Sequence, residues 1–105
     1  MHNTPGISAE FRDNFALEYG RWMEQRGNHP SIVLWVVFNE AWGQFDTVEV
    51  TQDVMARDPS RLVTCASGWD DFPAGNIMDV HVYPGPTNGG TQEGSEHYGN
   101  YAKVE

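Results

Sequence analysis

The stretch Ile32-Val33-Leu34-Trp35-Val36-Val37-Phe38-Asn39-Glu40 decides the fold. It begins with an apolar run, residues 32–38, that is rich in β-branched and aromatic side chains. Such a run predicts a strand covered on both faces, which is typical of a parallel sheet flanked by helices. Polar residues appear abruptly at Asn39 and Glu40, so we expect the strand to end there.

The segment before this strand predicts an amphipathic helix over residues 9–26. Its large apolar residues recur at spacings of three and four, and they are Phe11, Phe15, Tyr19, Trp22 and Met23. Ser8 is the expected N-cap of this helix. Gly27 and Asn28 are expected to supply a left-handed stop at its other end.

The segment after the strand predicts a second helix, two further strands and a loop. Asp46 and Glu49 form a possible capping box for a helix over residues 47–57. Residues 61–67 predict a second strand, and residues 77–83 predict a third strand with a period of two. Residues 85–105 are expected to be loop or poorly ordered chain. The order of elements predicts an α/β fold with a parallel sheet.

Composition excludes several classes of function. The 105 residues carry a formal charge of -9, which disfavours nucleic-acid binding and anionic membrane surfaces. Cys65 is the single cysteine, so an intrachain disulfide and a multi-thiolate metal site are excluded. The histidines show no metal-ligand spacing, and no cofactor motif is present. The apolar run at 32–38 is too short to span a bilayer.

Polar and aromatic residues follow each predicted strand. The three groups are Asn39-Glu40-Ala41-Trp42-Gly43, Ser67-Gly68-Trp69-Asp70 and His81-Val82-Tyr83-Pro84. All lie at carboxyl ends of strands, where open α/β sheets and barrels bind ligands. Indole and phenol rings suit the apolar C–H faces of a sugar, which predicts a carbohydrate site. The alternative interpretation is that these aromatic residues and His81 belong to the core.

Glu40 is the candidate acid. It follows an apolar strand, so low-dielectric surroundings would disfavour its charged form and raise the pKa of its carboxyl. Such a carboxylic acid can protonate a leaving-group oxygen, and the neighbouring Asn39 can hydrogen-bond a sugar hydroxyl. The alternative interpretation is a solvated glutamate where a helix begins.

The local sequence resembles glycoside hydrolase family 2, which includes β-galactosidases, β-glucuronidases and β-mannosidases. Three stretches carry the resemblance over residues 8–86: Arg26-Gly27-Asn28-His29-Pro30-Ser31-Ile32 through Trp35 to Asn39-Glu40-Ala41-Trp42-Gly43-Gln44-Phe45, Asp58-Pro59-Ser60-Arg61-Leu62-Val63 into Ala66-Ser67-Gly68-Trp69, and Asp79-Val80-His81-Val82-Tyr83-Pro84-Gly85-Pro86.

The resemblance implies a (β/α)8 TIM barrel in which the predicted strands are the fourth, fifth and sixth. It also implies a retaining glycosidase in which Glu40 is the acid/base and Asn39 holds the 2-hydroxyl of the sugar. Three further residues would line the pocket, and they are Trp69, His81 and Tyr83. Trp42, beside the acid, is included in the expected substrate site.

One part of the family pattern is missing. The family nucleophile is a second glutamate in a Gly-Glu-aromatic-Gly motif, which this sequence lacks. A TIM barrel also needs about 250 residues. We therefore expect a barrel fragment with open sheet edges that could self-associate, inactive as an isolated chain. The alternative hypothesis is a non-catalytic carbohydrate-binding or assembly protein built on this segment.

Overall fold

Two parallel strands joined through a helix form the centre of the fold. The structure, a computed structural model, describes residues 6–39, 43–68 and 72–79. Its elements are α1 (Ala9–Arg26), β1 (Leu34–Phe38), α2 (Thr47–Arg57) and β2 (Leu62–Ala66). The register pairs Leu34 with Leu62 and Phe38 with Ala66. The two predicted helices, the first two predicted strands and their parallel direction are confirmed, with each strand shorter than predicted.

The core lies between the sheet and the two helices. Trp35 and Val37 of β1 pack with Val63 of β2, Met23 of α1 and Val54 of α2. These alternate positions share one face of the sheet, because successive side chains of a strand point to opposite faces. On the other face Val36 and Leu62 are 40% and 51% exposed. The helices therefore cover one face of β1 and β2, and the prediction that the first strand is covered on both faces is wrong for the described residues.

The cap at the start of α1 is confirmed, but the predicted left-handed stop at its end is wrong. The Ser8 hydroxyl accepts the Phe11 N–H at 3.1 Å. Gly27 is right-handed, with φ −61°, and its N–H donates to the Met23 carbonyl. The guanidinium of Arg61 donates to the Gly27, His29 and Ile32 carbonyls instead. Since a distant arginine satisfies this turn, no left-handed residue is needed there.

The predicted capping box of α2 is also wrong. Asp46 sits at φ 40°, in the left-handed region, and its side chain makes no capping hydrogen bond. Its carboxylate forms an ion pair with Arg12 of α1 instead. Asp tolerates this backbone conformation better than most residues do. The pairing joins the start of α2 to α1.

Tyr19 links α1 to the middle of β1. Its hydroxyl donates to the Val36 carbonyl at 3.1 Å. Burial raises the pKa of Tyr19 to about 12. The raised pKa keeps the phenol protonated, and able to donate this hydrogen bond, at a pH where an ordinary tyrosine ionises.

Residues 72–79 lie along β2, but the described part of the predicted third strand is not a strand. Gly75 forms an isolated antiparallel bridge with Thr64. Asn76 donates its backbone N–H to the Val63 carbonyl at 2.7 Å and accepts the Val63 N–H on its side-chain oxygen at 3.0 Å. Residues 77–79 have no regular structure, and residues 80–83 lie outside the described part. Asn76 thus occupies backbone groups of β2 that a neighbouring strand would otherwise use.

Replacing Gly75 with alanine is expected to destabilise the fold more than the matched change Gly43→Ala. Both glycines have positive φ, but a Cβ at Gly75 would lie 2.7 Å from the Val63 carbonyl oxygen, whereas a Cβ at Gly43 meets nothing within 4 Å. Overpacking adds about 1–3 kcal/mol at Gly75. Urea unfolding of both variants measures the difference. Equal losses would show that the close approach to β2 does not matter.

Candidate active site

The carboxyl ends of β1 and β2 lie level with each other and are joined by two hydrogen bonds. The Ser67 N–H donates to the Phe38 carbonyl at 3.2 Å. The Ser67 hydroxyl donates to Oδ1 of Asn39 at 2.9 Å. Asn39 is exposed, and Ser67 is partly buried. The structure thus brings the first polar residue after β1 against the first polar residue after β2.

A second polar contact holds the chain that leads toward His81. The buried Thr64 hydroxyl lies 2.9 Å from the Ala66 carbonyl oxygen and 3.1 Å from Oδ2 of Asp79. Thr64 follows the core residue Val63, so it points to the sheet face opposite the helices. The contact with Thr64 therefore holds Asp79, two residues before His81 in the sequence, on that face of β2.

Residues 44–47, which follow the candidate acid in the chain, are anchored by contacts with the core and with α1. The Thr47 hydroxyl donates to Oε1 of the buried Gln44 at 2.9 Å. The ring of Phe45 is 3% exposed and packs edge-on against Phe38 at 5.4 Å between centroids. Asp46 adds its ion pair with α1. Residues 39 and 44–47, on either side of the candidate acid, are thus both fixed.

Comparison with known proteins identifies the family. Residues 3–93 match the family described as glycosyl hydrolases family 2, TIM barrel domain. The chain belongs to glycosyl hydrolase family 2. Among curated proteins none matches it. The match covers most of the chain, so the resemblance drawn from the sequence is confirmed. The mixed helix and strand content of the structure agrees with a TIM barrel domain.

Among the predicted site residues of this family 2 chain, Asn39 is described. The others lie outside the described residues, and they are Glu40, Trp42, Trp69, His81 and Tyr83. Their roles therefore stay predictions. Ser67 belongs to the polar group that follows the second predicted strand, but the sequence did not predict it as a site residue. Its signal was its place as the first polar residue after a strand parallel to β1.

Two cavities lined by described residues lie on the helical side of the sheet. One of about 450 Å³ is lined by residues that include Gly20, Arg57 and Arg61. Another, of about 280 Å³, lies between α1 and α2. Neither lining includes Asn39 or Ser67, so neither is the predicted sugar site.

The described residues offer neither a metal cluster nor a membrane-spanning helix. Within residues 6–39, 43–68 and 72–79, no group of three or more His, Cys, Asp or Glu side chains could hold a metal ion. None of the helices in these ranges combines the length and apolarity that crossing a membrane requires.

Proposed function

We propose that this chain is the part of a retaining β-glycosidase that carries the acid/base, with Glu40 in that role. The observation that carries the proposal is the place of Asn39. It lies exposed at the carboxyl end of β1, in a chain of glycosyl hydrolase family 2, and contacts the end of the parallel strand β2. In TIM barrels the active site lies at this end of the strands.

In the proposed architecture, β1 and β2 are the fourth and fifth strands of a barrel and the chain near His81 forms the sixth. The helices pack on one face of the sheet, through Trp35 and Val63 among others. The opposite face would then be the barrel interior, since helices form the outer ring of this fold. Asp79, held on that face by Thr64, would lead His81 and Tyr83 toward the pocket.

The proposed chemistry uses Glu40 twice. Its carboxylic acid first protonates the glycosidic oxygen as the bond to the leaving group breaks. Its carboxylate then takes a proton from the water that releases the sugar. Asn39 holds the 2-hydroxyl, and the sugar is lined by the aromatic and imidazole side chains of Trp42, Trp69, His81 and Tyr83.

Retaining hydrolysis also needs a carboxylate nucleophile about 5–5.5 Å from the acid/base. The Gly-Glu-aromatic-Gly motif that carries it in the family is absent from the sequence. A second candidate function is a non-catalytic carbohydrate-binding protein, whose site would need no nucleophile. Such a protein would bind sugar equally well with glutamine at position 40.

The proposal predicts that the chain does not turn over nitrophenyl β-glycosides and that Glu40 nevertheless titrates as a general acid. A carbon-13 NMR titration of glutamate-labelled protein should place the pKa of Glu40 above the ordinary glutamate value of about 4.3. The variant Glu40→Gln assigns the signal. A Glu40 pKa at the ordinary value would contradict the acid/base role. Turnover that Glu40→Gln abolishes would show that another carboxylate of this chain serves as nucleophile.

A further inference from the structure

The hydrogen bond between Ser67 and Asn39 sets which end of the Asn39 amide faces a ligand. A side-chain amide has one oxygen that accepts and one nitrogen that donates. Ser67 donates to Oδ1 of Asn39 at 2.9 Å. With the oxygen turned toward β2, the nitrogen lies on the other side of the amide.

The backbone makes Ser67 a rigid partner for this contact. Its own N–H donates to the Phe38 carbonyl at 3.2 Å, one residue beyond the paired positions Phe38 and Ala66. The hydroxyl therefore starts from a strand end that is already fixed to β1. Ser67 is partly buried while Asn39 is exposed, so a ligand can reach the Asn39 amide without displacing Ser67. Sites held by side chains on rigid elements keep their geometry better than sites on loops.

We propose that Ser67 is a positioning residue, which holds the Asn39 amide by its oxygen and presents the amide nitrogen as a donor to the 2-oxygen of the sugar. This inference rests on the proposed function, in which Asn39 contacts that oxygen. It assigns the specificity for a hydrogen-bond acceptor at the 2-position of the sugar to two residues that directly follow neighbouring strands.

The test compares sugars that differ only at the 2-position. The probes are the methyl β-glycosides of galactose, glucuronic acid and mannose with their 2-deoxy counterparts, titrated against the full chain by NMR. Ser67→Ala is expected to weaken binding of the 2-hydroxy sugar about 3- to 10-fold, the range of one hydrogen bond, and to leave binding of the 2-deoxy sugar unchanged. Ser67→Thr keeps the hydroxyl and should stay within about twofold of the parent chain.

The outcomes separate this inference from the proposed function. If the parent chain prefers the 2-hydroxy sugar and Ser67→Ala weakens both sugars equally, or neither, the positioning role is overturned and the proposed function stands. If the parent chain binds both forms equally, the sugar contact of Asn39 is absent, and both proposals about Asn39 are overturned.

A spectroscopic readout needs no sugar. The side-chain NH2 signals of Asn39, assigned with Asn39→Asp, should shift and broaden in Ser67→Ala but not in Ser67→Thr. If no sugar binds, the proposed function fails for this chain, and these signals then decide whether Ser67 holds the amide. Unchanged Asn39 signals in Ser67→Ala overturn the positioning role whatever the sugar titrations give.

Discussion

Replacing Arg61 with methionine is expected to lower the free energy of unfolding by about 3 kcal/mol, the lower end of the range for loss of one partner of a buried ion pair, because this pair is partly buried. Arg61 and Asp58 form an ion pair at 2.6 Å, with side chains 15% and 14% exposed. The same guanidinium donates to the carbonyls of Gly27, His29 and Ile32. Methionine keeps most of the length of the side chain but leaves the three carbonyl oxygens without the guanidinium. It also removes the charged donor of the Asp58 carboxylate, which keeps its hydrogen bonds from Ser60 and Trp35. Urea unfolding monitored by tryptophan fluorescence measures the loss.

Arg57→Met is the matched control. Arg57 pairs with Asp53 one helical turn away, and the two side chains are 42% and 57% exposed. An exposed pair at this spacing contributes about 0.3–0.5 kcal/mol, because water solvates the charges equally well. Similar losses for Arg57→Met and Arg61→Met would contradict the assignment of a partly buried network to Arg61.

The destabilisation by Arg61→Met should also depend on pH. Hydrogen bonds from Ser60, Arg61 and Trp35 hold the pKa of Asp58 well below its usual range. A carboxyl with a lowered pKa stabilises the fold above its unfolded pKa of about 3.9, and that stabilisation is lost as pH falls below it. Replacing Arg61 removes one of the hydrogen bonds that lower the pKa of Asp58, so part of that lowering is lost. The difference in unfolding free energy between the two proteins should therefore stay constant above about pH 4 and narrow as the pH falls from about 4 toward 2, whereas a purely steric defect would leave it constant throughout.

The local patterns of the sequence were enough to predict the helices and the parallel strand pair. The apolar run at 32–38 places Trp35 and Val37 in the core, and the three- and four-residue spacing of α1 does the same for Met23. The ends of the helices were predicted less well, because long-range partners decide them. Arg61 donates to the Gly27 carbonyl at the end of α1 from 34 residues away. Arg12 pairs over the same separation with Asp46, which was expected to cap α2.

The candidate site shows the same division between local and long-range information. Asn39 was predicted from its position after an apolar strand, since the change from apolar to polar residues marks the end of a strand in the local sequence. The register that pairs Phe38 with Ala66, and so sets Ser67 beside Asn39, depends on how two separate segments align. The antiparallel bridge of Gly75 to Thr64, just before the predicted third strand, could not be predicted for a similar reason. The contacts of Asn76 with β2 depend on that alignment, which the period-two pattern of residues 77–83 does not encode.

Replacing Phe45 with alanine is the second change with a large expected effect, a loss of about 3–5 kcal/mol in the free energy of unfolding. Phe45 is 3% exposed. Its ring packs edge-on against Phe15 at 5.2 Å and Phe38 at 5.4 Å between centroids, and the Arg12 guanidinium lies 5.5 Å from its ring centre. Truncation would leave a cavity where α1, the end of β1 and the start of α2 meet, and a cavity adds to the lost transfer free energy.

Phe11→Ala provides the matched control, because Phe11 contacts the same ring at 6.0 Å but is 53% exposed. Its removal opens no enclosed cavity, so the loss should be well under half that of Phe45→Ala. Phe45→Leu keeps most of the buried volume and should fall between the two. Urea unfolding of the three variants gives the order, and equal losses for Phe11→Ala and Phe45→Ala would contradict it.

The position of Phe45 also connects stability to the site. Phe38, against which it packs, is the last residue of β1, and Asn39 follows directly. If Phe45 holds this strand end in place, Phe45→Ala should disturb the side-chain NH2 signals of Asn39 under conditions where the protein is still folded. Phe11→Ala should leave those signals unchanged. A Phe45→Ala protein that is destabilised but keeps the parent signals of Asn39 would show that the aromatic cluster supports the fold without setting the geometry at the end of β1.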